Sequence, residues 1–353
     1  MSLHKPKFLF SAKQFPPFVC SIIHASIRHV AFMHTGQLDS AGVLSRIFPL
    51  EKGRKPRRRR PWVVITVFLG PALLFYLAFI IYPILLTVYN SFHSLHMELG
   101  MVYDYVGLEN FRQIVTEDGV FWIAARNSLT WGLVASTIDI PLALVLALIL
   151  HSKVPFARFF RTIWFTPMLL SYPVVGVIWL WVYNYDWGVA NLILRAIGMG
   201  RYVQPWLSSP TTALPALILV TSWMFAGFNM VVMLAAIHAI PMEYLEAARI
   251  DGAGTWHRVI YVVVPLLRPT MVNLAILDFI GKMKQFALVW VMTRGGPMWS
   301  TETMATYVMK RAFAWKTLDL GYPSAIAVLW FIIIFGLSYG LIRFLQRREA
   351  LEF

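Results

Sequence analysis

The sequence has few charged residues and almost no cysteine. Only 14% of its 353 residues are charged and 58% are hydrophobic, which makes the chain too apolar for a soluble protein of this length. Cys20 is the only cysteine, which excludes an intrachain disulfide and a cysteine-rich metal site. The sequence also lacks a GxxxxGK[ST] phosphate-binding loop, a His-Glu-x-x-His pair and a nucleophile elbow. We therefore expect no catalytic residues, no metal site and no cofactor bound by this chain.

Long hydrophobic runs separated by polar loops predict transmembrane helices. A hydrocarbon core about 30 Å thick needs roughly 20 apolar residues per helix. The runs are continuous rather than alternating, which favours helices over barrel strands. The predicted fold class is an all-α integral membrane protein with about six transmembrane helices. The predicted spans are 62–89, 122–150, 163–184, 212–237, 270–293 and 322–345.

Basic residues predict the orientation of these spans. The formal net charge of +14 would suggest nucleic acid in a soluble protein, but seven of the nine residues from Lys52 to Arg60 are basic and directly precede the first span. The positive-inside rule explains this run, so no nucleic-acid partner is expected. Residues 151–162 contain the basic residues Lys153, Arg158 and Arg161 and no acid, whereas the charged residues of 90–120 are five acids and one arginine. Both termini are therefore predicted to lie in the cytoplasm.

The chain divides into two predicted regions. Residues 1–60 are expected to form a basic, poorly ordered cytoplasmic tail, and residues 61–350 the transmembrane domain. The short apolar run from Phe15 to Ile23 leaves a cleavable signal open as an alternative. A later start of the natural chain at Met33 is another.

The polar loop between the fourth and fifth spans has the pattern of two helices joined by a turn. Pro241 suits the start of a helix. Gly252 can adopt the left-handed conformation that ends it, and Pro265 and Pro269 are expected to limit the second helix. The sequence therefore predicts a compact helical elbow over 241–269, at the membrane surface, that a moving partner could push.

This loop resembles the EAA signature of ABC importer permeases, which is Glu-Ala-Ala, three residues, Gly, nine residues, Ile, one residue and Leu-Pro. Residues 246–248, Gly252 and Pro265 match it, while Val262 and Val264 stand in for Ile and Leu. The resemblance implies the type I ABC importer permease fold, with the elbow as a cytoplasmic coupling loop that docks onto a separate ATPase. The implied coupling residues are Glu246, Ala247, Ala248, Asp251, Gly252, Ala253 and Pro265.

Three further segments, 106–111, 293–297 and 321–327, are similar to carbohydrate importers, in particular to the larger permease subunit of maltose-type systems. The resemblance covers residues from about 60 to 350. It implies a place in the cytoplasmic membrane of a bacterium or archaeon, with ATP and Mg²⁺ used by partner subunits. The implied partners are a second permease subunit, two ATPase subunits, an extracytoplasmic solute-binding protein, the sugar substrate and membrane lipid.

The fifth span contains ionisable side chains, which are costly inside a membrane and are functional candidates. Asp278 and Lys282 are four residues apart and share a helical face. They can contact substrate, or they can neutralise each other and hold helices together. The two sequences can be aligned without gaps from Glu246 and Pro265 of the loop. In this alignment the resemblance places the sugar-contacting positions of the maltose permease on Asp278, Lys282, Gln285, Thr221, Phe225, Phe228, Tyr172 and Met168.

Charged residues at these positions replace small and amide side chains of the maltose permease. We therefore expect Lys282, together with Lys284, to meet an anionic group, such as the carboxylate of a uronic acid in alginate or pectin fragments. A neutral oligosaccharide and a sugar or glycerol phosphate are alternatives. An ion-coupled secondary transporter is an alternative of another class, and dependence of uptake on ATP would separate the two.

Overall fold

The computed structural model describes residues 61–96, 102–152, 154–315 and 319–349. The predicted tail of residues 1–60 lies outside the described residues. The chain divides into two compact units at Ala72 and Leu73. The described part of the first unit is helical, and the described part of the second unit holds the remaining helices and one short hairpin.

The described helices are α1 (Pro61–Tyr76), α2 (Tyr82–Asn90), α3 (Glu109–Thr116), α4 (Gly119–His151), α5 (Ala157–Phe165), α6 (Tyr172–Val182), α7 (Val189–Ala196), α8 (Ala213–His238), α9 (Met242–Ile250), α10 (Thr255–Arg258), α11 (Val264–Lys282), α12 (Ala287–Met292), α13 (Met304–Met309) and α14 (Gly321–Glu349). The π-helical segments are Leu77–Ile81, Val259–Val263 and Lys310–Ala314, and the 3-10 segments are Thr166–Leu169 and Gly200–Tyr202. Strands β1 (His93–His96) and β2 (Val102–Tyr105) pair antiparallel, with His93 opposite Tyr105.

The prediction of about six spans is confirmed. Five helical stretches of the described chain are long and apolar enough to cross a membrane, and a sixth is a pair of helices bent by 105°. The five are Ile65–Asn90, Gly119–His151, Ala213–His238, Thr255–Lys282 and Gly321–Phe344, and the bent pair is Ala157–Leu169 with Tyr172–Val182.

The bend in the third span has a local cause. Leu170 and Ser171 have extended backbone, with ψ of 145° and 148°. Pro167 and Pro173 stand in the first turns of the segments on either side of them. Proline has no N–H, so Pro173 cannot donate a helical hydrogen bond back to Leu169, and it is tolerated in the first turn of the new helix that starts after the break.

The fifth span begins and ends earlier than predicted. It was expected over 270–293, with Pro265 and Pro269 ending the helix before it, but one helical stretch runs from Thr255 to Lys282 through both prolines. Pro265 stands in the first turn of α11, directly after the π-helical segment, where a missing N–H is tolerated. The expectation that the prolines limit the second helix is therefore wrong.

Helix α8 is the centre of the bundle. In the most hydrophobic part of α8, 67% of the residues are buried, whereas the corresponding share in α4 is 39%. Gly227 allows α5 to cross α8 at backbone contact, because a Cβ at this position would collide with the carbonyl oxygen of Trp164 and lie 2.7 Å from the Cα of Phe165. Glycine is therefore required at the crossing of the two helices.

Asp118 fixes the start of α4 to two other helices. Its Oδ1 caps the helix by accepting the Phe121 N–H at 3.0 Å. Its Oδ2 accepts the hydroxyls of Tyr307 and Tyr322. Burial alone would raise the pKa of Asp118, but these hydrogen bonds and the charge of Arg311 outweigh it, so the pKa lies below its usual value. The carboxylate thus joins α4, α13 and α14.

Replacing Gly227 with valine is expected to destabilise the assembled protein by about 1–3 kcal/mol or more, because overpacking must separate α5 from α8. Thermal unfolding of the purified protein in detergent measures the change. Gly336→Val is the matched control, since no atom outside the local helix backbone lies within 4 Å of a Cβ at that helical glycine. Equal melting temperatures for the two variants would contradict the close crossing.

Candidate functional site

The turn of the elbow is built by the residues of the Glu-Ala-Ala-to-Gly spacing. Gly252 has a φ of +81°, which favours glycine. The Asp251 N–H donates to the Ala247 carbonyl at 3.0 Å, and the Ala253 N–H donates to the Ala248 carbonyl at 2.9 Å. These bonds satisfy carbonyls at the end of α9 in the manner of a glycine C-cap. The spacing between the alanines and the glycine is therefore the spacing that closes this turn.

The surface of the elbow combines acidic and apolar groups. Glu246 and Ala247 are exposed. Two of its large apolar side chains, Ile250 and Trp256, are also exposed, by 86% and 75%. Leu245 points the other way and packs against the buried cluster formed by α4, α8 and α11. The elbow thus has one face packed on the bundle and one face exposed.

A continuous helix links the elbow to the membrane interior. The span Thr255–Lys282 contains 28 residues, which corresponds to about 42 Å of helix. Val263 and Leu267 are buried near its start, in the same cluster as Ile237 of α8. The second half of the elbow and Lys282 therefore belong to one packed helical stretch.

Lys282 is buried between two carboxylates at the far end of that helix. Its Nζ lies 3.0 Å from Oδ2 of Asp139 on α4 and 3.8 Å from Oδ1 of Asp278 on α11. The side chains of Lys282 and Asp139 are 4% and 0% exposed. Ser136 donates a hydrogen bond to Oδ2 of Asp278 at 3.1 Å. We call Ser136, Asp139, Asp278 and Lys282 the charge cluster.

Aromatic rings cover one side of the charge cluster. The Lys282 Nζ lies 4.7 Å from the centre of the Phe225 ring, a favourable cation–π distance. The Tyr172 ring is 6.3 Å from that of Phe225, centre to centre. The structure therefore brings together four of the predicted substrate positions, on α6, α8 and α11.

The other four predicted positions lie apart from these contacts or use their polar groups internally. Thr221 is fully buried, accepts a hydrogen bond from the Trp131 indole and donates one to the Ile218 carbonyl. Gln285 is buried in the break between α11 and α12, where its side-chain N–H₂ has no hydrogen-bond partner among the described residues. Phe228 is half-buried on α8, and Met168 is half-buried in the 3-10 segment before the bend.

Sequence reasoning missed two members of the charge cluster, Ser136 and Asp139, and Asp139 is the charged one. It lies inside the second predicted span, among apolar residues. An acidic side chain inside a membrane span requires a partner. The presence of Asp139 in this span was therefore the signal that could have identified it as a site residue. Its pairing with Lys282 is a contact over 143 sequence positions, which no local pattern indicates. The contact supports the structural reading of Lys282 over direct binding of an anion.

A family model described as the binding-protein-dependent transport system inner membrane component matches residues 139–350. The chain belongs to this family. A probable ABC transporter permease protein of Pyrococcus horikoshii is 36% identical over 276 residues, which cover 77% of this chain and 92% of that protein. The sulfoquinovosyl glycerol transport system permease protein SmoG of Agrobacterium fabrum is 32% identical over 292 residues, covering 81% and 92%. These matches confirm the resemblance of the sequence to ABC importer permeases.

The fold is that of a type I ABC importer permease. A crystal structure of a bacterial ABC transporter involved in the import of the acidic polysaccharide alginate matches with a TM-score of 0.70. The match has 20% sequence identity and covers 82% of this chain and 96% of that one. It confirms the predicted fold class.

Removing the charge of Asp139 is expected to destabilise the protein by about 3–5 kcal/mol, because Lys282 then keeps only the more distant Asp278. A double-mutant cycle of Asp139→Asn and Lys282→Gln, read by thermal unfolding, is expected to show a coupling energy of about 0.5–3 kcal/mol. Ser136→Ala is the control, since loss of one neutral donor costs about 1 kcal/mol. Additive effects of Asp139→Asn and Lys282→Gln would show that the pair does not interact.

Proposed function

We propose that this chain forms one membrane-spanning half of an ATP-driven carbohydrate importer, with the elbow as its docking element for a separate ATPase. The observation that carries the proposal is the elbow itself, with its closed glycine turn and its exposed Glu246, Ile250 and Trp256. The related proteins support carbohydrate as the cargo, since SmoG belongs to a sulfoquinovosyl glycerol transport system and LacF of Rhizobium radiobacter, 30% identical over 286 residues, to a lactose transport system.

The remaining subunits follow from this role. Six spans offer too little surface to enclose a sugar path alone, so a second permease subunit completes it. Two ATPase subunits hydrolyse ATP with Mg²⁺, and their closure moves the elbows. A solute-binding protein delivers the sugar on the side opposite the elbow. This assignment places the elbow and both termini in the cytoplasm of a bacterial or archaeal cell, in agreement with the basic loop at 151–162.

Motion of the elbow reaches the sugar path through the fifth span. When the ATPases push α9 and α10, the helix Thr255–Lys282 carries the displacement to the charge cluster. Tyr172 and Phe225 stand beside that cluster on α6 and α8. Aromatic faces next to polar groups suit a hydroxyl-rich ring. The same helix thus connects the elbow, where the ATPases act, to the residues that line the sugar path.

An acidic oligosaccharide is the substrate class that we favour within this function. Lys282 is already paired with Asp139 and Asp278, so it is not available to contact an anionic group of the substrate. Lys284 is exposed where α11 ends and the break before α12 begins. We assign the contact with a carboxylate of the sugar to Lys284.

Glu246→Ala is expected to abolish ATP-driven uptake while leaving the membrane domain folded, because Glu246 is exposed and supports no internal contact of the turn. Uptake and ATPase activity of the reconstituted complex measure the effect. Glu243→Ala is the matched control, one turn earlier on the same exposed helix, and is expected to retain more activity. Normal uptake by Glu246→Ala would refute the coupling role.

Lys284→Gln is expected to lower uptake of a uronic-acid oligosaccharide about 10- to 100-fold. This factor corresponds to the free energy lost when one charge-assisted hydrogen bond to the sugar is removed. Uptake of a neutral oligosaccharide is expected to change less than about twofold. Arg112→Gln, at an exposed cation paired with Glu109, is the control for general charge effects. If Lys284→Gln lowers uptake of the acidic and neutral sugars equally, the acidic substrate class is wrong while the importer function stands.

A further inference from the structure

Helix α7 has its polar and apolar faces reversed relative to a helix on the surface of a soluble protein. Asn191 is fully buried on one side. Val189, Leu192, Ile193 and Ile197 follow helical spacing on the opposite side and are 53%, 47%, 54% and 61% exposed. A helix at a water surface normally turns its apolar stripe inward. The outward stripe therefore favours an apolar environment outside the protein.

Hydrogen bonds from Asn191 fix this orientation. Its Nδ2 donates to the carbonyls of Tyr185 and Gln204, at 3.0 Å and 3.2 Å. Its Oδ1 accepts the indole N–H of Trp206 at 2.9 Å. A buried amide with three partners cannot turn outward without leaving all of them unsatisfied. The apolar stripe of α7 is therefore held on the outside by the fold.

The surroundings of α7 have the composition of a membrane interface. Exposed Trp181 and Trp187 meet edge to face, 6.3 Å apart. The Arg195 guanidinium donates to the Asp186 carbonyl at 3.2 Å, and the Arg201 guanidinium lies 4.7 Å from the Tyr202 ring centre. Tryptophan and tyrosine concentrate at both membrane interfaces, at the level of the lipid headgroups. Arginine on the polar side of an interfacial helix can meet anionic headgroups.

The apolar stripe of α7 also continues a stripe on the preceding span. Val174, Val177, Ile178 and Trp181 of α6 are exposed at helical spacing. The contact between Trp181 and Trp187 joins this stripe to α7 across the turn between them. One continuous apolar surface therefore runs along the span and bends onto the connecting helix.

We propose that α7 lies flat in the lipid–water interface on the side of the membrane opposite the elbow, with its apolar stripe among the acyl chains. Helix α8 separates the two ends, because its 26 residues span about 39 Å. In this position α7 anchors the loop between α6 and α8 to the bilayer and holds the end of the bent third span at a fixed depth.

Spin labelling tests the position directly. The assembled importer is reconstituted in lipid nanodiscs with Cys20→Ser, which removes the only native cysteine. Single cysteines are then introduced at Ile193 and, in a second variant, at Ile197. Asp186→Cys is the control, since Asp186 is exposed in the same loop. Collision rates with oxygen, which enriches in lipid, and with a water-soluble nickel chelate are measured for each label.

Labels at Ile193 and Ile197 are expected to show a severalfold higher ratio of oxygen to nickel collisions than the label at Asp186. Nickel access equal to that at Asp186 would place the stripe in water and overturn the proposal. Exclusion of both reagents would place the stripe against another protein, such as the second permease subunit or the solute-binding protein, and would overturn it as well. Two independent labels guard against misfolding of either variant.

Discussion

The cost of placing charge in a low-dielectric interior governs the arrangement of this protein. Lys282 carries an ammonium at membrane depth, where isolation would cost several kcal/mol. Asp139 and Asp278 meet this charge from two different helices, at 3.0 Å and 3.8 Å. The pairing ties α4 to the end of the fifth span and keeps Phe225 beside the ammonium. The helices that border the cluster must therefore pack so that Lys282 stays paired with these carboxylates.

The elbow and the charge cluster are two ends of one structural element. The stretch Thr255–Lys282 emerges from the glycine turn, passes the buried cluster that contains Val263 and Leu267, and ends at the paired ammonium. The glycine turn and the residues proposed to meet sugar are therefore joined by one helical stretch, although they are far apart in the sequence.

Patterns with a local cause could be predicted from the sequence. Continuous apolar runs indicated the spans, and the Ala-to-Gly spacing indicated a turn that the backbone of residues 247–253 closes. Features that depend on distant residues could not be predicted. The continuation through Pro265 relies on a π-helical turn, which has no clear sequence signature, and the partner of Lys282 lies 143 positions away. The stripe on α7 was hidden for the same reason, since only the contacts of Asn191 show which side faces outward.

The π-helical turn at Val259–Val263 gives the fifth span a defined rotational phase. Such a turn accommodates one residue more than an α-helical turn, and one residue of α-helix corresponds to a rotation of about 100°. The face that Asp278 and Lys282 share is therefore aimed relative to α9 by this single extra residue. A chain one residue shorter here would keep its hydrophobicity and its glycine turn, but the spacing from Gly252 to Pro265 would shorten and Lys282 would point away from Asp139. The number of residues in this turn thus sets whether the charge cluster can form.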